Sequence, residues 1–181
     1  PYQMDARLKA AGIFDPERVV VTGVTIPDGS KLPSGLPDIE TIAALEGDAE
    51  RGQAVAARCY VCHQIDGAGV AFGPELTSFG ATQPREVILR SILDPNADIS
   101  HGYDGAELTT KDGVTVQGIL VSQGDPLLIK SMGGQIQAIP KDRVENVRRV
   151  NRSLMMWPAQ LGLTAQDIAD VTTYIQALGQ R

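Results

Sequence analysis

The chain of 181 residues contains two cysteines, which stand three positions apart with a histidine directly behind the second. Cys59, Cys62 and His63 lie in the stretch RCYVCHQIDGAG, which begins at Arg58. Two thiols at this spacing can form a redox disulfide, provide half of a zinc site or make two thioether bonds to a haem. Each outcome requires a different fold around the motif, so the motif constrains the chain more than any other feature.

The surrounding residues favour a haem. Two thiols one helical turn apart can add to both vinyl groups of one porphyrin, and the imidazole of His63 can then bind the iron. A structural zinc site wants four ligands, and beside this motif the chain offers only a distant His101. A thioredoxin-like pair should open a helix after a buried strand, whereas this pair closes a helix that is predicted to begin at Asp48. We therefore predict one haem c, attached through Cys59 and Cys62.

Composition and charge narrow the function further. The net charge of -6 argues against nucleic-acid binding, because phosphates demand a basic surface. No apolar run approaches the roughly 20 residues that a membrane-spanning helix needs. Aromatic residues make up only 4% of the chain, and a porphyrin would itself fill part of a core. There is no signal peptide, and the chain opens on Pro1, so we expect a mature protein or a piece of a longer one.

The chain is predicted to begin with an irregular arm or linker over residues 1–46. Its stretch PDGSKLPSGLPD, from Pro27 onward, is rich in proline and glycine and indicates a loop. Residues 17–26 are predicted to form a single strand, and DIETIAAL is predicted to form a short helix.

Residues 47–105 are predicted to form the first part of a helical core. One helix begins at Asp48 as its N-cap and contains Gly52, whose missing side chain would let another helix approach closely. A second helix in TQPREVILRSILDP is bounded by prolines. Its predicted apolar face consists of Val87, Leu89 (or Ile88), Ile92 and Leu93.

Residues 106–150 are predicted to form a small antiparallel sheet of about four strands, inserted between helical segments. Its turns are indicated by three residue pairs, Asp112-Gly113, Gly124-Asp125 and Gly133-Gly134. The residues expected at alternating positions are Val114, Val116, Leu127, Ile129, Ile136 and Ala138.

Residues 151–181 complete the core with a methionine-bearing loop and a terminal helix, so the predicted fold is mainly α with a β-insertion. Thr164 and Asp167 are placed to form a capping box at the start of this helix, and Gly179 suits its end. The apolar stripe of the helix comprises Leu163, Ile168, Val171, Ile175 and Leu178.

A haem bound through His63 needs a second axial ligand or an open face. The stretch SLMMWPAQLGL supplies two adjacent methionines, and a thioether opposite histidine suits an electron carrier. We predict that one of Met155 and Met156 binds iron while the other packs; the alternative is that both fill gaps in a core. The remaining candidates for this position are Met4, Met132 and His101.

The stretch GAGVAFGPELT follows the cysteine motif and is predicted to support the haem. Its glycines suit a backbone that is pressed against a flat cofactor. Pro74 has no N–H, and its carbonyl can accept a hydrogen bond from the second imidazole nitrogen of His63, which would fix the ring. An ordinary Gly-Pro turn is the alternative.

The basic cluster KDRVENVRRVNR, residues 141–152, stands out against the acidic average of the chain. It is expected to neutralise haem propionates, to steer a partner by complementary charge, or to be an ordinary solvated face.

The blocks CYVCH, GPELT, the methionine loop and ADVTTYI stand in the order of a class I c-type cytochrome, which the chain resembles. More closely, it resembles the haem-binding domains of planctomycetes, verrucomicrobia and acidobacteria, which carry a β-rich insertion before the methionine loop. The resemblance covers residues 47 to about 178. It implies thioether bonds at Cys59 and Cys62, iron ligation by His63 and a supporting role for Pro74.

The methionine loop departs from the family pattern, in which the ligand methionine stands directly before a proline. Here Met155, Met156 and Trp157 precede Pro158. Counting forward from Ser153 implies Met155 as the ligand, whereas reading back from the proline implies Met156.

The resemblance implies a periplasmic monohaem electron carrier, which is not itself an enzyme and passes single electrons from a dehydrogenase to a respiratory acceptor. Such domains often form the C-terminal part of larger dehydrogenase-like proteins. The alternatives are a haem-based gas or redox sensor, an interaction module, and a small haem enzyme with an open sixth position.

Overall fold

The computed structural model describes residues 10–12 and 15–179. Within them the chain divides into two compact units. The helical unit consists of Pro27–Tyr103 and the described residues from Arg152 onward, and the sheet unit consists of Asp104–Asn151 with the described residues up to Ile26. Helices make up 32% and strands 20% of the structure, so the predicted mainly α class is not confirmed. The prediction of helices together with a separate antiparallel sheet is confirmed.

The helical unit contains a series of short helices and one long terminal helix. A small hairpin of β1 (Gln64–Ile65) and β2 (Ala68–Gly69) lies between the second and third helices. The helices are α1 (Ile39–Ala43), α2 (Ala49–Ala56), α3 (Leu76–Thr82), α4 (Arg85–Leu93), α5 (Pro158–Leu161) and α6 (Ala165–Leu178).

Helix α6 forms the centre of this unit. Thr164 and Asp167 make the predicted capping box, and the predicted apolar stripe is confirmed because all five of its residues are buried. This stripe packs against a core to which α1, α2 and α4 contribute Ile42, Val55, Ile88 and Leu89.

The apolar face of α4 differs from the prediction at one position. Ile88 and Leu89 are almost fully buried, and Ile92 and Leu93 are half-buried and packed on the core, but Val87 is 39% exposed. At 3.6 residues per turn, positions 88, 89, 92 and 93 share one stripe and position 87 falls outside it.

Helices α2 and α6 approach each other closely at Gly52, as predicted. A Cβ atom on Gly52 would lie 2.1 Å from the carbonyl oxygen of Asp170 and 2.8 Å from Cβ of Tyr174. Gly80 of α3 stands in the same relation to α6, because its Cβ would lie 2.3 Å from the carbonyl oxygen of Ile175. Two neighbouring helices therefore reach the backbone of α6 only because they carry glycine there.

The buried carboxylate of Asp170 links the start of α2 to α6. It accepts hydrogen bonds from the Asp48 N–H at 2.8 Å, from Arg51 Nε at 2.8 Å and from Gln166 Nε2 at 2.8 Å. These bonds, with that from Arg51 the strongest contributor, lower the pKa of Asp170 from its ordinary value of 3.8 to about 2. The ionised form is thus stabilised only in the folded chain.

Replacing Asp170 with Asn is expected to make the protein less stable at neutral pH but less sensitive to acid. A carboxyl whose pKa falls on folding adds stability above its unfolded pKa, and this stability is lost as pH falls towards the folded value. The shift from 3.8 to about 2 corresponds to roughly 2 kcal/mol. Denaturant unfolding of both proteins should show this difference at pH 7 and its disappearance between about pH 5 and 2. The exposed Asp98→Asn is the control, and a pH-independent difference for Asp170→Asn would contradict the assignment.

The sheet unit contains five antiparallel strands in the order β6-β5-β4-β3-β7. The prediction of about four strands missed the last one, because its sequence VENVRR lacks alternating apolar residues. The strands are β3 (Gly105–Thr110), β4 (Thr115–Ser122), β5 (Leu127–Ser131), β6 (Ile136–Ile139) and β7 (Val144–Arg149).

One face of the sheet forms the core of this unit. Leu108, Val116, Leu127, Ile129 and Ile139 are buried together. Of the residues that alternate in the sequence, Val116 of β4 and Leu127 and Ile129 of β5 therefore share the buried face.

Strand β6 buries Gln137 and Ile139 rather than the alternating pair Ile136 and Ala138. Ile136 is 55% exposed, while Gln137 and Ile139 are buried. Gln137 is satisfied inside because its side chain accepts from the Thr22 N–H at 2.8 Å and donates to the Thr22 carbonyl at 2.9 Å. Burying a polar group costs little once it is hydrogen-bonded, so β6 turns a glutamine inward.

The N-terminal segment joins the sheet unit without forming the strand that was predicted over residues 17–26. Pro16–Arg18 is a short 3₁₀-helix, and only Val24 makes a β-bridge, parallel to Val116 of β4. The bridge is held by hydrogen bonds from the Val24 N–H to the Thr115 carbonyl and from the Gln117 N–H to the Val24 carbonyl.

Candidate functional site

The cysteine motif forms a turn directly after α2. The Cys59 N–H donates to the Ala56 carbonyl at 2.8 Å, and the His63 N–H donates to the Cys59 carbonyl at 2.8 Å. Asp48 caps α2 by accepting from the Arg51 N–H, as predicted. Cys59 is half-buried, Cys62 is buried, and both thiols are free.

The two thiols have the electrostatic character of unreactive, protonated groups. Burial, with a smaller contribution from Cys62, raises the pKa of Cys59 to about 11. Burial also raises the pKa of Cys62. Catalytic dithiols need the opposite shift, since the thiolate is the nucleophile. The surroundings of the pair therefore do not favour a thioredoxin-like redox site.

His63 is buried, with 8% of its surface exposed. Its Nδ1 lies 2.7 Å from the carbonyl oxygen of Pro74, as the sequence predicted for that nitrogen. Burial lowers the pKa of His63, so the ring is neutral at pH 7. A neutral ring that donates from Nδ1 carries a lone pair on Nε2. Within the described part of the chain, Nε2 makes no hydrogen bond of its own.

Gly73 lies against the imidazole of His63. A Cβ atom at this position would lie 2.5 Å from Cε1 and 2.8 Å from Nδ1 of the ring. We expected the glycines of this stretch to let the backbone approach a flat cofactor. At Gly73 the flat group is the histidine ring itself, and the glycine leaves room for the orientation that the Pro74 carbonyl fixes.

Glu75 follows Pro74 and is the N-cap of α3, and no role was predicted for it from the sequence. Its carboxylate accepts from the backbone N–H groups of Thr77 and Ser78, both at 2.8 Å. Burial opposes these bonds, but they outweigh it and lower the pKa of Glu75 to about 2. The Thr77 hydroxyl in turn accepts from the Asp66 N–H at 2.7 Å. Glutamate is not among the residues that usually cap helices, so this role had no clear signal in the sequence.

Met155 and Met156 lie on an irregular loop before α5 and are both half-buried. We call residues 153–157 the methionine loop. It belongs to the same helical unit as Cys59, Cys62 and His63. Of the other predicted candidates, His101 is exposed, Met132 belongs to the sheet unit, and Met4 lies outside the described residues.

A zinc site receives no support from the structure. In the ranges 10–12 and 15–179, no three His, Cys, Asp or Glu side chains come together as a metal-binding group.

The basic cluster of residues 141–152 is engaged by carboxylates of its own unit. Arg143 pairs with Asp112 at 3.5 Å, and Arg148 pairs with Glu107 at 2.7 Å. Arg149 pairs with Asp104. These three arginines therefore act within the sheet unit as partners of nearby anions.

A comparison with known protein families gives a match to part of the chain. Residues 49–117 match the family model for cytochrome c, and this stretch contains α2, the cysteine motif and Pro74. A comparison with curated proteins finds no match. The family match supports a haem-based electron-transfer protein of the c-type cytochrome class, and such a domain implies a covalently bound haem c.

None of the helices in the described ranges has both the length and the apolar character needed to cross a bilayer.

Proposed function

We propose that this protein is a monohaem c-type cytochrome that carries single electrons. The observation that carries the proposal is the buried His63 ring, whose Nδ1 is occupied by the Pro74 carbonyl at 2.7 Å while Nε2 has no hydrogen bond among the described residues. A buried imidazole nitrogen with a free lone pair is costly in a folded protein, and it is the donor that a haem iron takes from histidine.

The donor set fits one haem c. Cys59 and Cys62 are free thiols on one turn and would form the two thioether bonds, next to the imidazole that would bind the iron. When bound, the haem supplies a reversible one-electron couple. The chain orients the His63 ring through the Pro74 carbonyl, excludes water from it by burial, and supplies a methionine sulfur from Met155 or Met156. A thioether opposite histidine raises the reduction potential.

The proposed setting is the periplasm, with a dehydrogenase as electron donor and a respiratory protein as acceptor. Cytochrome c domains are typically extracytoplasmic, which supports this location. The insertion between α4 and the methionine loop supports the relationship to planctomycete, verrucomicrobial and acidobacterial haem-binding domains. Like them, the chain would act as an electron carrier, either alone or as a domain of a larger dehydrogenase.

Visible spectroscopy of the oxidised and dithionite-reduced protein tests this function. We expect a c-type pyridine haemochrome, a weak band of sulfur ligation towards the near infrared in the oxidised form, and no rapid reaction of the reduced form with carbon monoxide. Immediate binding of carbon monoxide would overturn the electron-carrier function in favour of a sensor or enzyme with an open sixth position. A colourless protein from a host that attaches haem would overturn the cofactor.

Single methionine substitutions identify the sixth ligand. We expect Met155→Ala to open the sixth position, so that the reduced protein binds carbon monoxide and the sulfur band disappears. Met156→Ala should retain the band, since counting forward from Ser153 implies Met155 as the ligand. The reverse result would assign Met156, and carbon monoxide binding by neither variant would contradict ligation from this loop.

A further inference from the structure

A short segment at the start of the helical unit is hydrogen-bonded to Gln160 of α5, whose side chain also accepts from the last residue of the methionine loop. We call residues 27–29 the strap. The side chain of Gln160 donates from Nε2 to the Pro27 carbonyl at 3.1 Å and accepts at Oε1 from the Trp157 N–H at 2.8 Å. One amide group thus connects the strap, the last residue of the loop and the first turn of α5.

The strap fits tightly at Gly29. This residue is buried, and a Cβ atom on it would lie 2.0 Å from Oε1 of Gln160 and 2.9 Å from Cδ1 of Trp157. The conformation of the strap is fixed locally, because the Ser30 N–H donates to the Asp28 carboxylate at 2.9 Å and the Leu32 N–H donates to the Gly29 carbonyl at 3.0 Å. The strap therefore has a defined local conformation and lies in close contact with both Gln160 and Trp157.

The opposite end of the methionine loop is also held. The Ser153 N–H donates to the side-chain oxygen of Asn96 at 2.8 Å, and the Met155 N–H donates to the Ser153 hydroxyl at 3.1 Å. Asn96 holds the loop where it begins, and Gln160 with the strap holds it where it ends. Met155 and Met156 lie between these two attachments.

We propose that Gln160 is a positioning residue for the sulfur ligand, acting through the strap and Trp157 on the methionine loop. This inference rests on the proposed function, in which Met155 or Met156 binds the haem iron. A loop fixed at both ends presents its sulfur in one position, so that the sulfur competes well with other ligands. Release of the Trp157 end lets the sulfur leave more often, and the sixth position then opens.

Three variants of the haem-loaded protein separate the contributions of the two Gln160 hydrogen bonds and of the Gly29 contact to the positioning of the sulfur ligand. Gln160→Ala removes both hydrogen bonds. Gln160→Glu keeps an acceptor for the Trp157 N–H but removes the donor to the Pro27 carbonyl. Gly29→Ala places a methyl group where Gln160 now lies. We expect all three to react with carbon monoxide about tenfold faster than the slow rate of the wild type, as loss of one hydrogen bond allows. Their reduction potentials should be lower, because methionine ligation raises the potential.

Hydrogen exchange gives a readout that does not depend on the iron. The amide of Trp157 should exchange about tenfold faster in Gln160→Ala, and more slowly in Gln160→Glu than in Gln160→Ala.

Two control variants separate positioning from general loss of stability. Gln166 is another glutamine with two connections, to the Glu46 carbonyl at 2.9 Å and to Asp170 at 2.8 Å. Gln166→Ala should lower stability and leave the carbon monoxide reaction and the potential at wild-type values. Gly23→Ala is the control for Gly29→Ala, since its Cβ would make only ordinary contacts at 3.5 and 3.6 Å.

The outcomes distinguish this inference from the function on which it rests. A wild type that resists carbon monoxide, with Gln160 and Gly29 variants that resist it equally and exchange Trp157 at the same rate, overturns the positioning role alone. Equal effects of Gln166→Ala and Gln160→Ala on the potential also overturn it. A wild type that binds carbon monoxide at once overturns the electron-carrier function and the positioning role together.

Discussion

The variant Gly52→Ala is expected to lose about 3 kcal/mol of unfolding free energy, the upper part of the range for overpacked sites. The added Cβ would lie 2.1 Å from the carbonyl oxygen and 2.6 Å from the carbonyl carbon of Asp170. Both atoms belong to the backbone of α6, so relief requires moving a whole helix. Alanine favours a helix interior over glycine by about 1 kcal/mol, which is too little to compensate.

Denaturant unfolding of Gly52→Ala beside Gln53→Ala measures this effect. Gln53 occupies the next position of α2 but is exposed, so its replacement should change stability by less than about 0.5 kcal/mol. A Gly52→Ala protein more stable than the wild type would contradict the close approach of α2 and α6. It would show that the higher helix propensity of alanine determines the change in unfolding free energy at this position.

With His63 as the proposed iron ligand, the variant Gly73→Ala is expected to retain its haem but to lose normal ligation by this histidine. The new Cβ would lie 2.5 Å from the imidazole, so the ring must turn away from the Pro74 carbonyl and from the position proposed for the iron. The thioether bonds depend on Cys59 and Cys62 and would remain. We also expect a loss of about 1–3 kcal/mol in unfolding free energy, as is typical of overpacked sites.

The pyridine haemochrome and the visible spectrum separate these two expectations. Haem content per protein should equal that of the wild type, while the low-spin spectrum of a six-coordinate iron should be replaced by a high-spin one. Gly23→Ala, which introduces a methyl group without a clash, should leave both unchanged. A Gly73→Ala spectrum identical to that of the wild type would contradict the proposed position of the His63 ring.

Local signals in the sequence predicted the helical unit well. The capping box at Thr164 and Asp167, the N-cap at Asp48 and the stripe of α6 each depend on residues within a few turns of one another. The bond between His63 and Pro74 spans eleven positions and was predicted because a carbonyl partner for the second nitrogen is a general requirement of histidine ligands.

Features that depend on distant partners were missed. Gln137 turns inward because Thr22, 115 positions earlier, satisfies its side chain, and nothing near β6 indicates this. Gln160 bonds to Pro27 across 133 positions. Strand β7 was missed for a related reason, since Arg148 is matched by Glu107 on the neighbouring strand β3 and apolar alternation is therefore not needed.

The distribution of charge between the two units affects how fast a redox partner associates with this protein. Among the described residues, the sheet unit contains seven Lys or Arg and eight Asp or Glu, whereas the helical unit contains six Lys or Arg and thirteen Asp or Glu. Most of the negative charge of the described residues thus belongs to the helical unit, which contains Cys59, Cys62 and His63. A basic redox partner is attracted towards this unit from a distance, and its association rate falls as salt shortens the range of that attraction to about 8 Å at physiological ionic strength.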